Sequence, residues 1–419
     1  MLIPAMAVLA CACLYAVLVA LAVSWRHRRP LPGDFTPGVS ILKPLKGVDD
    51  ALEENLESFV ALDYPEFELL LAAADPGDPA LEVARRVAAR HPDRVIRVFV
   101  FPDSIGTNPK VSLLAPLERH AQFDFVMVSD SNVAVKPDFL RRCVQPMEDA
   151  RVGMVHSAIV GVEEKTLPAA FENLHLTCFS GVLGVCVPML TGIHAVVGKN
   201  LLLRRTALNE SGGFFAIRKI IADDHELALQ FLRSGWKLAL ADQPVATVNR
   251  QWQWDKFLSR HVRWSVIRWR LSPFSYPAEL IANPVCLAVG VGVVGAPWNG
   301  PLEFALLGSA ALLKLMGDAV ACRGLRGAWP RLHHLLAMPL KDLTMGVVWT
   351  MPFFSSRIVW RGTPYYIARN GRMIRPEVWE RWQKSRGRRV TSVETLPVES
   401  PTILAFPASS QRKQKKRAA

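Results

Sequence analysis

Hydrophobic and polar positions change their rhythm three times along this chain. Residues 2–24 are almost wholly apolar, a run long enough at 1.5 Å per residue to cross a hydrocarbon core. The segment lacks the basic start of a signal peptide, and the cluster Arg26, His27, Arg28, Arg29 follows it instead. The positive-inside rule then puts the N-terminus outside and the following residues in the cytoplasm.

From Val39 the rhythm becomes short apolar runs alternating with amphipathic stretches, which predicts an α/β domain. VSILKPL, FELLLAAA, VIRVFVF and FDFVMVS read as buried strands, with MVHSAIVGV and WKLALADQPVATV as further strands. A helix is predicted over 51–63, begun by Asp49 or Asp50. A second, over 80–90, turns Leu81, Ala84, Val87 and Ala88 inward behind an Asp78 cap. In IIADDHELALQFLRSGW, Leu227, Ala228 and Phe231 share one helical face and Gly235 ends the helix. Asp223 and Glu226 have the spacing of a capping pair, which accounts for one of the two adjacent acids and leaves Asp224 over. Residues 168–200 are apolar with few charges, suited to lining an acceptor pocket or lying against a membrane.

The third rhythm begins in QWQWDKFLSRHVRWSVIRWR, a helix crowded with Trp and Arg that predicts an interfacial segment. Two apolar runs, 280–296 and 301–321, are split by Asn299-Gly300-Pro301 as in a hairpin of membrane helices. A weaker run, 335–355, carries Lys341 and Asp342, which favours an interfacial or re-entrant element. The domains expected are thus an anchor (1–25), a cytoplasmic catalytic domain with its interfacial helix (36–275), a C-terminal membrane region (276–358) and a basic, partly disordered tail (359–419). The last part, 385–419, is polar and ends in QRKQKKRAA, suited to anionic lipid.

Composition sharpens this. Half of the 419 residues are hydrophobic, high for a soluble enzyme, and the net charge is +13. The basic residues flank apolar spans, and no helix-turn-helix, RNP-type or zinc-finger spacing is present, so lipid headgroups fit the charge better than nucleic acid. Seven cysteines without a CxxC read as reduced thiols.

Candidate chemistry sits where strands stop. In open α/β sheets ligands bind beyond the carboxyl ends of the strands, and Asp75 and Asp130 both lie at such ends. Asp75 precedes Pro76 and reads equally well as a turn former. Asp130 has no helix nearby to cap. Lys110, in Thr107-Asn108-Pro109-Lys110, suits a diphosphate. Asp224, after the small-residue loop Ser211-Gly212-Gly213, suits a general base. Arg260 and Arg263 can fork onto phosphate as Lys cannot.

Taken in order, Asp75, Asp130, Asp224 and RHVRW at 260–264 follow the pattern D, D, D, (Q/R)xxRW. This resembles lipid-directed, family-2-like glycosyltransferases with an A-type nucleotide-sugar fold, and more closely the ceramide glucosyltransferases of bacterial type. SILKPLKG, DPGDPA, GTNPKVSLL, VSDSNVAVKPDFL, MVH, IADDHELA and WRGTPYYI carry the likeness over most of 36–275 and, more loosely, the C-terminal part. The resemblance implies that Asp75 contacts the uracil and ribose of a UDP-sugar, with Lys110 at its phosphates. Asp130 would sit at the diphosphate and help hold Mg²⁺ or Mn²⁺. Asp224 would be the base, and Arg260, Arg263 and Trp264 would hold the leaving group and close over the acceptor. It also matches His156, without a role. One departure is Asn132 in place of the last acid of an Asp-x-Asp metal motif, a neutral oxygen ligand at most. Arg260, where relatives often have Gln, adds charge beside the phosphates.

The implied reaction moves a hexose, glucose first, from a UDP-sugar to the primary hydroxyl of ceramide with inversion, at a bacterial inner membrane. Two readings stay beside it. One keeps the chemistry with a hopanoid or other lipid acceptor and UDP-N-acetylglucosamine. The other is a silent membrane protein that binds nucleotide-sugar or lipid.

Overall fold

The computed structural model describes residues 1–27 and 33–386. Arg28 and Arg29 of the basic cluster, and the expected disordered tail from 387 on, lie outside the described residues. Residues 1–375 form one compact unit. The chain from Pro376 is a second, whose described part is the helix Pro376–Arg386.

Seven strands form the central sheet. They are β1 (Val39–Pro44), β2 (Phe67–Ala73), β3 (Ile96–Val100), β4 (Phe125–Ser129), β5 (Val152–His156), β6 (Asn200–Arg204) and β7 (Lys237–Leu240). Their spatial order is β3-β2-β1-β4-β6-β5-β7. β3, β2, β1 and β4 run parallel, whereas β6 is antiparallel to both β4 and β5. The expected α/β fold with a parallel centre is borne out. MVHSAIVGV and WKLALADQPVATV each hold two strands, the second of each (Ile159–Val162, Val245–Val248) joining Val133–Ala134 in a small separate sheet.

The parallel centre follows from composition. β1, β2 and β4 are buried on both faces and rich in apolar residues, as strands covered on two sides must be, with Ser40, Lys43 and Glu68 the buried polar exceptions on β1 and β2. The helices include α1 (Leu2–His27), α2 (Leu52–Val60), α3 (Pro79–Arg90), α4 (Pro109–Glu118) and α5 (Leu167–Thr191, with a wide turn at Leu176–Gly181), of which α2, α3 and α4 pack on these strands. α6 (Asp223–Arg233), α7 (Trp254–Leu271), α8 (Pro284–Val294), α9 (Pro301–Ala321) and α10 (Leu332–Thr350) follow. Asp78 caps α3 as expected, accepting from the Ala80 N–H at 2.9 Å. Neither Asp49 nor Asp50 caps α2. They accept instead from Ser131 and from the backbone of Arg250 and Gln251.

Among the described residues three helices are long and apolar enough to cross a membrane: Leu2–Arg26, Leu167–Thr191 and Pro301–Arg326. The second falls in the stretch read as pocket lining or membrane-lying. The first leg of the expected C-terminal hairpin is shorter than its apolar run, because α8 has only 11 residues and is bent 92° from the short helix Tyr276–Ala282. Eleven residues rise about 16 Å, half a hydrocarbon core. α1 packs closely on α9, where a Cβ at Gly317 would lie 2.9 Å from the Tyr15 ring. The Tyr15 hydroxyl donates to Asp318 at 2.5 Å.

Candidate active site

β1, β2 and β4 end level with one another, so Asp75, after β2, and Asp130, after β4, share one sheet edge on either side of β1. Two strand spacings, about 10 Å, separate β2 from β4. Asp75 is exposed and accepts from the Gly77 N–H at 2.8 Å, so its turn-forming role is real and its second oxygen stays free. Asp130 is drawn into a cation pair, with Lys110 Nζ at 2.9 Å and Lys199 Nζ at 2.9 Å. Burial alone would raise this carboxyl, but the two ammonium groups outweigh it and hold it well below the usual carboxylate range.

Lys199 was invisible in the sequence. It precedes β6, and β6 inserts beside β4 with Asn200 opposite Ser129, which puts Lys199 against Asp130. Its Nζ also meets the Asn132 side-chain oxygen at 2.8 Å. Lys43, on β1, is missed likewise. It is fully buried, donates to the Asp130 carbonyl at 2.9 Å and stacks 3.6 Å from the Phe59 ring centre. Burial pushes its pKa well down.

Lys110 comes from the head of α4, where Pro109 opens the helix and Asn108 caps it through the Lys110 and Val111 N–H groups. The same Asn108 amide donates to the Ile220 carbonyl at 2.7 Å and to Asp223 at 3.3 Å. A local helix cap therefore also fixes the loop that delivers the acids. Lys110 reaches Asp223 at 3.7 Å and the Gly198 carbonyl at 3.1 Å. Burial would lower Lys110, yet Asp130 and Asp223 raise it above its ordinary value.

The capping pair expected of Asp223 and Glu226 does not form. Ala222 stands at the N-cap without a side-chain bond, Glu226 pairs with Arg233 at 3.0 Å, and Asp223 faces Asn108 and Lys110 instead. Burial, opposed by Lys110 and reinforced by Asp224 and Asp130, pushes Asp223 up to about 6. Asp224 accepts from the Gly198 N–H at 2.5 Å and from the His225 N–H at 2.8 Å. Glycine is needed at 198, since a Cβ there would lie 3.0 Å from the Asp224 carboxylate. Five residues of the site thus meet: Lys110, Asp130, Lys199, Asp223 and Asp224, with Asn132 joined through Lys199.

α7 supplies a second, cationic wall. The Arg260 guanidinium lies 4.4 Å from the Trp264 ring and 5.2 Å from Trp252, with its Nε 3.3 Å from the fully buried Glu172. Arg263 makes no ion pair among the described residues. Burial, with Arg260 and Arg361 nearby, lowers its pKa, and a guanidinium stays charged, so the position favours an anion. Arg361 is the tip of a hairpin whose strands Arg357–Trp360 and Thr363–Ile367 are joined by Arg361 and Gly362. Both turn residues are left-handed, at φ 49° and 82°. The Arg361 guanidinium donates to the Lys46 carbonyl at 2.7 Å, tying this tip to the loop after β1. The hairpin's third strand bonds the loop before Asp223, through Met373 N–H to Lys219 and Gly371 to the Ile221 N–H. His156, at the end of β5, shares a 2.8 Å hydrogen bond with His194, and burial lowers it to about 3.

Among the described residues no three His, Cys, Asp or Glu side chains gather as a metal site. Asp130 and Asn132 nevertheless turn two oxygens onto one cation, the Lys199 ammonium. This donor set fits Mg²⁺ or Mn²⁺, which use one or two protein carboxylates and complete their shell with substrate phosphates and water.

A family model described as glycosyl transferase family 21 matches residues 5–373, from α1 to the last strand of the hairpin sheet. Ceramide glucosyltransferase 3 of Caenorhabditis elegans is 25% identical over 388 residues, 87% of this chain and 81% of that one. Ceramide glucosyltransferase 1 of the same organism is 27% identical over 274 residues, 64% of this chain and 59% of that one. Among solved structures, the mannosyltransferase PcManGT from Pyrobaculum calidifontis, in complex with GDP-Man and Mn²⁺, covers 84% of this chain and 96% of its own at 20% identity and a TM-score of 0.49. A match running almost the length of the described unit, through both cationic walls and the paired acids, makes this chain a glycosyltransferase that belongs to glycosyl transferase family 21.

Proposed function

We infer that this enzyme transfers glucose from UDP-glucose to the primary hydroxyl of ceramide, giving a β-linked product with inversion. The observation that carries the reading is Asp224. It is held by the Gly198 N–H beside Lys110 and Asp130, at the sheet edge where a nucleotide-sugar binds. The ceramide glucosyltransferases it resembles supply the acceptor and the glucosyl group.

The residues divide the work. Asp75 takes the nucleoside at the end of β2. Lys110, Arg260, Arg263 and Arg361 face the diphosphate, and Trp264 closes over the acceptor. Asp130 and Asn132 hold a divalent cation, which when bound neutralises charge on the departing diphosphate. The acceptor oxygen attacks C1 as the C1–phosphate oxygen bond breaks. Its proton passes to Asp224, and UDP leaves on the opposite face, which inverts the anomeric centre. Two backbone N–H groups fix the carboxylate of Asp224, so its geometry costs little to organise at the moment of reaction. The apolar helices support a site at the cytoplasmic face of a bilayer, in a multi-pass protein whose acceptor need not leave the lipid.

The test is a transfer assay on the full-length protein in membranes. UDP-glucose, UDP-galactose, UDP-glucuronate and UDP-N-acetylglucosamine are paired with ceramide, diacylglycerol and a hydroxylated hopanoid, with and without Mn²⁺. A metal-dependent β-glucosylceramide is expected. A product only with the hopanoid moves the acceptor and leaves the mechanism. No product from any pair, with UDP still bound, overturns the reading.

A further inference from the structure

A cavity of about 40 Å³ lies where α5, α7, the short helix Tyr276–Ala282 and α10 meet. It is one turn along α7 from the Arg263–Trp264 wall, since Ser265 and Arg268 line it. Four of its polar lining residues are buried: His175 is 5% exposed, Ser265 1%, Lys341 1% and Asp342 4%. Arg268, Glu279 and Asn283 are half-buried. Of its apolar lining, Cys178 and Met345 are buried, while Phe179, Leu280 and Trp349 are half-buried. The hollow therefore joins a polar floor to a partly open apolar side, as the head and chains of an amphiphile require.

The charges on the floor cancel. Arg268 pairs with Glu279 at 2.6 Å, and Lys341 with Asp342 at 2.7 Å. An anionic head would meet no spare cation here, unlike at Arg263, and would carry its own desolvation cost unreturned. One group is left over. His175 Nε2 is buried without a hydrogen-bond partner, although its ring is fixed by Phe179 at 4.8 Å and His261 at 4.8 Å. A buried unpaired nitrogen in a polar hollow marks a place for a ligand's hydrogen-bonding group. His261 connects it back to the catalytic wall, bonding Glu172 at 2.7 Å and lying edge-on to Trp264 at 5.7 Å.

We propose that this cavity binds the uncharged amide and hydroxyl head of the acceptor lipid, with His175 as its hydrogen-bond partner, while the hydrocarbon chains leave past Phe179, Leu280 and Trp349. The proposal rests on the lipid-acceptor reading above. It adds a preference that nothing at the nucleotide side dictates, for a neutral head bearing an amide or hydroxyl over a phosphorylated one.

Two measurements on the full-length membrane enzyme test it. In the first, His175→Leu and Ser265→Ala are compared for the KM of a short-chain ceramide, with UDP affinity as the control. The expected result is a KM raised about tenfold or more for His175→Leu, less for Ser265→Ala, and an unchanged UDP affinity; an unchanged acceptor KM in both overturns the proposal. In the second, native enzyme is photolabelled with a diazirine-bearing ceramide, so that folding of a variant is not at issue. Label in 172–182 or 276–283, displaced by unlabelled ceramide but not by phosphatidylserine vesicles, is expected. Transfer without label in either segment, or displacement by phosphatidylserine as readily as by ceramide, contradicts the proposal. Label there in an enzyme that transfers no sugar to ceramide would retain the cavity and overturn the acceptor assignment instead.

Discussion

Two of the clusters of buried charge among the described residues are built to opposite rules. Between α9 and α10, Lys314 meets Asp318 at 2.7 Å and Asp342 at 3.3 Å, while Lys341 meets Asp342 at 2.7 Å and Asp318 at 3.5 Å. Two cations and two anions satisfy one another, and Tyr15 closes the set from α1. At the sheet edge Asp130 is matched by Lys110 and Lys199, but among the described residues Arg263 and Arg361 form no ion pair with an acid. A closed set of charges orders helices; an open set with spare cations waits for an anion. That difference separates architecture from function where composition alone cannot, since both clusters are Lys and Asp.

The comparison can be broken from either side. The largest effect on nucleotide binding is expected from Lys110→Met, which strips Asp130 and Asp223 of their shared cation. A buried charge losing its partner costs about 3–5 kcal/mol, so UDP affinity measured by calorimetry should fall at least about 100-fold. An affinity within threefold of native would mean that Lys110 is a bystander.

Asp318→Asn strikes the closed set. It should cost stability on the same scale, about 3 kcal/mol, seen as a lower thermal midpoint, while UDP affinity holds. Loss of UDP affinity without loss of stability would erase the distinction drawn between the clusters.

Arg361→Asn keeps a residue that tolerates the left-handed turn and removes the charge. UDP binding should weaken about tenfold and uridine binding not at all, with Arg361→Lys in between, as expected if the guanidinium serves the diphosphate.

The smallest effect is on pH. Asp223 is raised in the folded protein, so the fold holds its proton more tightly than the unfolded chain does. Its contribution to stability is present below about pH 4 and is lost as pH rises through about 6. Asp223→Asn should flatten the stability profile across that window, and an unchanged profile would place the titration elsewhere.

Much of this was legible in the chain. Alternating apolar runs predicted the buried strands of an α/β domain, and their parallel pairing puts Asp75 and Asp130 on one edge. Asp224 was legible as an acid left over once a cap was assigned, although the cap itself was misplaced. Asp223 turns to Asn108, a partner 115 residues away that no local spacing reveals. Lys199 was hidden for the same reason, because only the antiparallel insertion of β6 brings it to Asp130. Lys43 read as one polar position in a strand, and Arg361 as part of a basic tail, until a tight turn tied it to Lys46. Periodicity reports which face of an element is buried. It does not report which distant element will cover that face.

The most direct test of the central claim is Asp224→Asn in the full-length enzyme, with glucosylceramide formation and UDP binding measured on the same preparation. Transfer reduced by a thousandfold or more, at unchanged UDP affinity, is the result the account predicts. Turnover within tenfold of native would contradict it and return the paired acids to a structural role.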